Sequence, residues 1–392
     1  IPVAASGMRR KGAIHPGQTL GIVGGGQLGR MAAVEARRAG YRVAVYTDEP
    51  NGSPAGQLAD TEINASYFDE EARGLFLKEV DAVTVEFENI PAAFLDAIES
   101  RARLHPSRAA VATCQNRERE KLFLRKQGIP HAAFEVVADA EGLERAVKKL
   151  GYPCVLKTAD FGYDGKGQQK LMAGDDLAAA WTALGAPRGV VEQWVTFEKE
   201  LSVVAARSAS GAFAAFPVAE NMHRDHILDV TISPARIDAA TAARATELAE
   251  AVAHALDYTG TLAVEMFLTA GGEILVNEIA PRPHNSGHHT IDSCVTSQFQ
   301  QQLRTVCGFA PGDARQHTPA VMVNLLGDLW PAPEKHPDWT PVLEEGGAFL
   351  HLYGKRLAKP KRKMGHFTVL GETVEAALGR AMALRAALGF PV

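Results

Sequence analysis

Residues 260–290 read GTLAVEMFLTAGGEILVNEIAPRPHNSGHHT. Two apolar runs flank Gly271-Gly272, a dipeptide that tolerates positive φ and closes two-residue hairpins. If these glycines form the loop, Glu265 stands directly opposite Glu278, with Cβ atoms about 4.5–5.5 Å apart. Carboxylates that close repel unless something neutralises them. Oxygen donors of this kind suit Mg²⁺, which keeps water and substrate phosphate in the rest of its shell. The plainer alternative is that one glutamate faces solvent or pairs with a nearby arginine. Beyond the second strand, residues 277–292 carry Asn277, Glu278, Arg282, His284, Asn285, His288, His289 and Asp292. Such a cluster is poor core material, because each buried polar group needs a partner. A solvated loop is the bland reading, but a loop seldom needs so many distinct functional groups.

Upstream, the strand PCVLKT places Lys157 near its end. The segment FGYDGKGQ (161–168) follows, with Gly162, Gly165, Gly167 and Lys166. Glycines let backbone N–H groups approach phosphate oxygens, and a lysine adds charge. The G-x-x-x-x-G-K-[ST] pattern is absent, and the segment read alone also fits a mobile loop. VVEQWV (190–195) is the next strand. Near the start of the chain, Gly24, Gly26 and Gly29 spell G-x-G-x-x-G between an apolar strand and a helical pattern, the dinucleotide fingerprint. Four strands, in TLGIVG, RVAVYT, AVTVEF and ARLHPS, alternate with helices up to about residue 110 and predict a small parallel, doubly wound unit. Gly24–Gly29, Asp48 and Glu86 lie at carboxyl ends of its strands, where such sheets bind ligands. The chain then turns to other architecture, earlier than the six-strand sheet expected of an NAD fold.

Toward the end, strands at 347–353 and 365–370 bracket a basic block containing Lys355, Arg356, Lys359, Lys361, Arg362 and Lys363, and a helix follows near 373–388. The block reads as a solvated loop, a nucleic-acid patch or a site for a phosphate monoester; the last suits its place between two strands.

A strand-end lysine, a glycine-rich loop, VVEQWV, paired glutamates on a hairpin and then Pro-Arg make the layout of the ATP-grasp superfamily. Within it the chain resembles the N5-carboxyaminoimidazole ribonucleotide synthetase family of purine biosynthesis, on GGGQLGRM, TVEFENIP, FGYDGKGQ, NEIAPRPHNSGHHT and YGKRLAKPKRKMGH. The resemblance implies an α/β and α+β chain in three parts: an N-terminal Rossmann-like (pre-ATP-grasp) domain over 14–110, an ATP-grasp domain over 111–310 with a mobile lid at about 117–187, and a small β-rich C-terminal domain over 311–392. It implies that Glu192, Gln193, Trp194 and Val195 meet the adenine of ATP, that Glu200 holds the ribose, and that Arg117 and Lys157 contact phosphates. Gly162, Tyr163, Asp164, Gly165, Lys166, Gly167 and Gln168 would close over those phosphates, and His223 matches a nucleotide-site position. Asn277, Glu265 and Glu278 would line the magnesium site; Ala280 stands where many ATP-grasp enzymes carry asparagine. Gly26, Gln27, Leu28, Glu86 and Asn285 would sit against aminoimidazole ribonucleotide, with Lys355, Arg362 and Lys363 on its phosphate. Bicarbonate would be the third substrate. Arg282 would stabilise carboxyphosphate, while His284, His288 and Asp292 would orient substrate or move the amine proton. A homodimer is also implied. The rival readings are a formate-using glycinamide ribonucleotide transformylase of the same superfamily, a nicotinamide oxidoreductase and a non-catalytic nucleotide sensor.

The bulk numbers are compatible with this. The 392 residues are 46% hydrophobic and 22% charged, as in a globular chain of two or three domains. A net charge of −5 disfavours bulk nucleic-acid binding. The 4 cysteines include no C-x-x-C pair, so neither structural zinc nor a disulfide framework is expected, and a reducing cytoplasm fits. No apolar run approaches the roughly 20 residues that span a bilayer, and the first residues show no signal-peptide pattern.

Overall fold

The computed structural model describes residues 12–160 and 167–390. Its first unit is a parallel sheet of β1 (Thr19–Val23), β2 (Arg42–Thr47), β3 (Thr61–Asn64), β4 (Ala82–Val85) and β5 (Arg103–Leu104), in the order β3-β2-β1-β4-β5. There are five strands where sequence patterning predicts four. The additional one, β3, reads TEIN and is a half-buried edge, so it lacks the apolar run that marks β1, β2 and β4.

A second, antiparallel sheet orders β6 (Phe134–Val137), β9 (Gly189–Gln193), β7 (Cys154–Thr158) and β8 (Gln168–Leu171). Leu143 and Val147 of the helix Ala140–Leu150 pack against Leu156 and Val191 on one of its faces.

The third sheet has nine strands: β10 (Lys199–Arg207), β11 (Phe213–Ala215), β12 (Ala219–Arg224), β13 (Ile227–Ser233), β14 (Gly260–Leu268), β15 (Ile274–Ala280), β16 (Ala320–Leu326), β17 (Ala348–Leu352) and β18 (Lys363–Leu370). They run β15-β14-β10-β12-β13-β16-β18-β17, with β11 paired to β10. The C-terminal strands therefore extend the large sheet, through Val230 opposite Val323, while keeping a core of their own around Trp330, Phe367 and Ala377.

Alternation gives the large sheet two different faces. Leu201, Val203, Leu262, Val264 and Met266 bury one face against the helix Ala239–Ala255. On the other, strand pairing lines up Glu278, Glu265 and Ser202 in one row and Glu200, Asn221 and Thr231 in the next.

The β14–β15 hairpin corrects the two-residue loop while keeping the predicted pair. Thr269 N–H donates to the Glu273 carbonyl at 2.9 Å, so three residues, Ala270 to Gly272, form the loop, with Gly272 at φ +81°. That loop alone would set the register off by one. A bulge at Asn277 restores it, and Glu265 faces Glu278. Without the bulge, Glu278 would point to the opposite face.

No helix among the described residues is long and apolar enough to cross a membrane, and the four cysteines are free.

Candidate active site

Glu265 and Glu278 share the polar face but differ in environment. Glu265 accepts from His284 Nε2 at 2.9 Å. Burial alone would raise its pKa, but His284, His223 and Lys363 outweigh that and hold it at about 2. Glu278 is open to the cleft and makes no hydrogen bond or ion pair among the described residues. Desolvation within the cleft, then Glu265, raises its carboxyl above the ordinary range, with Arg117 opposing. Glu120 lies nearby, buried, accepting from Ile279 N–H at 2.9 Å. Burial and Glu278 push it up to about 8. A cavity of about 20 Å³ lies among Glu88, Arg117, Glu120 and Glu278.

The donors fit a magnesium ion in part: two hard, anionic oxygen groups are opposed at one point, and one of them is uncompensated. Among the described residues no group of three or more His, Cys, Asp or Glu is arranged to hold a metal, and Ala280 is packed with Ala263 and Cys294. The protein therefore offers a two-carboxylate edge rather than a closed cage, the usual pattern when phosphates complete the shell.

Next to this edge, Glu192 on β9 receives Lys121 at 3.1 Å and Lys157 at 3.0 Å. Lys121 is 1% exposed and Glu192 3%. Burial would raise Glu192; the two lysines outweigh it and hold it at about 2. Lys121 also donates to the Asn277 carbonyl at 2.8 Å, tying the bulge to the helix Arg117–Lys126. The Glu192 carboxylate, expected at the adenine edge, thus serves to hold two lysines. Arg117 follows the helix cap Asn116 and donates to the Thr158 carbonyl at 3.1 Å, which brings it beside Lys157. Gln193, Trp194 and Val195 run out of β9 into the connection toward β10; Lys170 stacks over the Trp194 ring at 3.7 Å. Across the cleft, Glu200 accepts from His223 Nδ1 at 2.7 Å. Burial opposes the charge on His223, but Glu200 and Glu265 prevail and raise it. Gly167 and Gln168 lead into β8, while Gly162, Tyr163, Asp164, Gly165 and Lys166 lie outside the described residues.

At the N-terminal unit the glycine fingerprint is already served. Glu86 accepts from Gly26 N–H at 2.7 Å and from Gly29 N–H at 3.2 Å, at the start of the helix Gln27–Arg38. A Cβ on Gly24 would come within 2.4 Å of the Glu86 side chain, and one on Gly26 within 2.6 Å. The glycines admit a carboxylate of the protein at the position where a dinucleotide fold places pyrophosphate. Two residues on, Glu88 takes a bidentate pair from Arg282, at 2.6 and 3.2 Å. Burial opposes ionisation of Glu88, and Arg282 lowers it nonetheless. Arg282, four residues after Glu278, thus ties the segment beyond β15 to the N-terminal unit.

Lys355 and Arg362 are both held by carbonyls of their own segment, beside Lys363. Lys355 Nζ donates to the Lys363 carbonyl at 2.6 Å and Arg362 to the Leu357 carbonyl at 2.9 Å. Burial first, then Arg362, pushes Lys355 down to about 8, with Glu86 opposing. Gln57 Nε2 donates to the Gly354 carbonyl at 2.8 Å, which joins the start of the basic block to the N-terminal unit.

Two of the expected catalytic groups need correction. His288 is fully buried; it packs on Phe299 and on His366, at 5.7 and 4.9 Å between ring centroids, and Gln298 bonds its Nδ1 at 3.0 Å. Asp292 is taken by His351 of β17 at 2.9 Å. Both join the loop to the C-terminal strands. Asn285, by contrast, is buried with neither side-chain polar atom bonded. Sequence reasoning missed Lys121, Glu88 and Glu120. Glu88 stood within a motif already singled out, two residues from Glu86.

The fold and site define the class: an ATP-grasp enzyme with a preceding ribonucleotide-synthetase unit. A family model for the ATP-grasp domain matches residues 122–299, one for the ribonucleotide synthetase preATP-grasp domain matches 17–115, and one for the phosphoribosylaminoimidazole carboxylase C-terminal domain matches 320–380. The N5-carboxyaminoimidazole ribonucleotide synthase of Bacillus subtilis (strain 168) is 45% identical over 357 residues, 91% of this chain and 92% of that protein. The Staphylococcus aureus N5-carboxyaminoimidazole synthetase complexed with ADP superposes with a TM-score of 0.88 at 36% identity, covering 95% of this chain and 98% of that one. The Aspergillus clavatus N5-carboxyaminoimidazole synthase in complex with ADP and 5-aminoimidazole ribonucleotide gives 0.87 at 34%, covering 95% and 98%. The chain belongs to the N5-carboxyaminoimidazole ribonucleotide synthase family of ATP-dependent ligases in purine biosynthesis.

Proposed function

We propose that the protein uses ATP and bicarbonate to carboxylate the exocyclic amine of 5-aminoimidazole ribonucleotide. The observation that carries this reading is the opposed Glu265–Glu278 pair, with a lysine-rich nucleotide side (Lys157, Arg117) on one flank and the Arg282–Glu88 junction toward the basic trio on the other. A bicarbonate oxygen attacks the γ-phosphorus, the β–γ bridging bond breaks, and ADP leaves. The amine nitrogen then attacks the carboxyl carbon of carboxyphosphate, the C–O bond to phosphate breaks, and the amine loses a proton.

The protein's part is charge placement rather than covalent catalysis. Lys157 and Arg117 meet the polyphosphate, with Glu192 holding Lys157 in place. Glu265 and Glu278 are the residues that hold magnesium, which when bound neutralises the phosphates. Arg282, oriented by Glu88, faces the transferring group. Lys355, Arg362 and Lys363 take the substrate monoester, and an arriving dianion favours full protonation of Lys355. Asn285 offers its two unbonded polar atoms to the imidazole or ribose. We also infer a homodimer and a cytoplasmic location from the family; sedimentation velocity at micromolar concentration tests the first.

The reading is tested by measuring ADP release with bicarbonate plus aminoimidazole ribonucleotide against formate plus glycinamide ribonucleotide. Turnover is expected with the first pair. Turnover with the second pair alone would assign the transformylase reaction instead.

A further inference from the structure

Behind Glu265, three buried side chains on the polar face of the large sheet, Thr231, Asn221 and Ser202, run into a fourth, Ser286, in the turn after β15. Thr231 Oγ1 donates to Asn221 Oδ1 at 2.9 Å, and Asn221 Nδ2 donates to Ser202 Oγ at 2.9 Å. Ser202 Oγ donates to Ser286 Oγ at 2.8 Å, and Ser286 Oγ meets His284 Nδ1 at 2.9 Å. His284 Nε2 then reaches Glu265 Oε1 at 2.9 Å. Thr231, Ser202 and Ser286 are 0% exposed and Asn221 6%. Burying such groups without partners costs free energy, and here each is satisfied in series, one donor to one acceptor.

The direction of the series is set at its functional end. Ser286 N–H, which can only donate, points at His284 Nδ1 at 3.3 Å. Glu265 Oε1, 2.9 Å from Nε2, is the acceptor on the other side of the ring. Both require a lone pair on Nδ1 and a proton on Nε2, and the orientation of Asn221 at the far end agrees. Strand register explains how the row reaches the site: Ser202 lies directly across from Glu265, and Asn221 directly across from Thr231.

We propose that Asn221, Ser202 and Ser286 are positioning residues that hold His284 as its Nε2–H tautomer, so that His284 clamps Oε1 of Glu265 and leaves Oε2 facing the cleft. The functional consequence rests on the reading of Glu265 as a magnesium ligand; the tautomer itself does not. Partners that hold a metal ligand in this way typically contribute 10–100-fold in metal affinity or activity.

The test is long-range ¹H–¹⁵N correlation of the histidine rings in the metal-free protein, with the His284 signal assigned by its loss in His284→Gln. Wild type should show Nδ1 unprotonated and Nε2 protonated. In Ser286→Ala the Nδ1 signal should move, kcat should fall about 10-fold, and the apparent KM for Mg²⁺ should rise while that for ATP stays within about twofold. Ser286→Thr, which keeps the hydroxyl, should restore both. Ser202→Ala, one link further away, should move Nδ1 less and serves if Ser286→Ala does not fold. A wild-type spectrum with a proton on Nδ1, or a Ser286→Ala protein with unchanged Nδ1 and kcat, overturns the proposal. A protein with the expected tautomer but no carboxylation activity would keep the relay and overturn the reaction.

Discussion

The glycine loop at Gly24–Gly29 and the hairpin at Glu265–Glu278 both bring strong electrostatics to one cleft, and they treat it in opposite ways. At the loop, backbone donors at a helix start are matched by Glu86, so the protein supplies their partner itself, although burial outweighs these bonds and raises the Glu86 carboxyl. At the hairpin, one carboxylate is clamped by His284 and the other is left facing it, with desolvation in the cleft and repulsion raising its pKa. The same fingerprint that binds a pyrophosphate in a dinucleotide fold here meets a carboxylate of the protein itself. The site that calls for an outside charge is the one whose sequence looks like an ordinary hairpin. What an anion- or cation-binding motif does depends on which side of the contact the protein itself supplies.

The largest expected effect comes from breaking the settled charges around the open pair. Lys121→Met leaves Glu192 buried with one of its two cations and frees the Asn277 carbonyl. Removing one partner of a buried pair costs about 3–5 kcal/mol. Guanidinium titration should show the midpoint falling accordingly; a loss below about 1 kcal/mol would mean that Lys157 alone satisfies Glu192.

Glu278→Gln sharpens the contrast. It should lower kcat by 10²–10³, about 2.7–4 kcal/mol, as expected for removal of one group that organises transition-state charge. Its stability should hold or rise, because like charges directly opposed destabilise a strand pair by a few tenths of a kcal/mol or more. Glu86→Gln should lower stability instead, since Gly26 N–H and Gly29 N–H bond two different carboxylate oxygens and an amide offers only one acceptor. If both variants were destabilised equally, the distinction between settled and open charge would fail.

Lys355→Ala probes the other flank. A charge-assisted contact to a phosphate is worth about 1.5–3 kcal/mol, so the KM for aminoimidazole ribonucleotide should rise about ten- to a hundred-fold while that for ATP barely moves. A rise in the ATP KM instead would assign the basic block to the nucleotide.

Acid tests the paired carboxylates themselves. Glu192 and Glu265 are held at about 2 against an ordinary 4.5. Carboxyls lowered on folding contribute stability that is fully present above about pH 4.5 and drains as pH falls toward 2. Denaturation midpoints taken stepwise from pH 6 to 3 should decline below about 4.5, and less steeply in Glu265→Gln. A flat profile would contradict these ion pairs.

How much of this was legible in the sequence depends on distance along the chain. The Glu265–Glu278 opposition was, although the two-residue loop assumed for it was not the real one; the bulge at Asn277 compensated. The edge strand β3 was not, because TEIN carries no apolar period. Lys121 is one charge among many in REREKLFLRK, and its burial depends on Glu192 and on Asn277, both far along the chain. The pairing of Glu88 with Arg282 spans the N-terminal and ATP-grasp units in the same way. Thr231, Asn221 and Ser202 belong to no motif, and only register places them behind Glu265. Local chemistry can be read from motifs; partners supplied by another sheet need the fold.

The central claim is that ATP activates bicarbonate in the cleft before the amine attacks. Turnover with [¹⁸O]bicarbonate, ATP and aminoimidazole ribonucleotide, followed by mass spectrometry of the released phosphate, tests it most directly. Carboxyphosphate formation transfers one bicarbonate oxygen to phosphorus, so phosphate carrying one ¹⁸O is predicted. Carboxylated product accompanied by unlabelled phosphate would contradict the account.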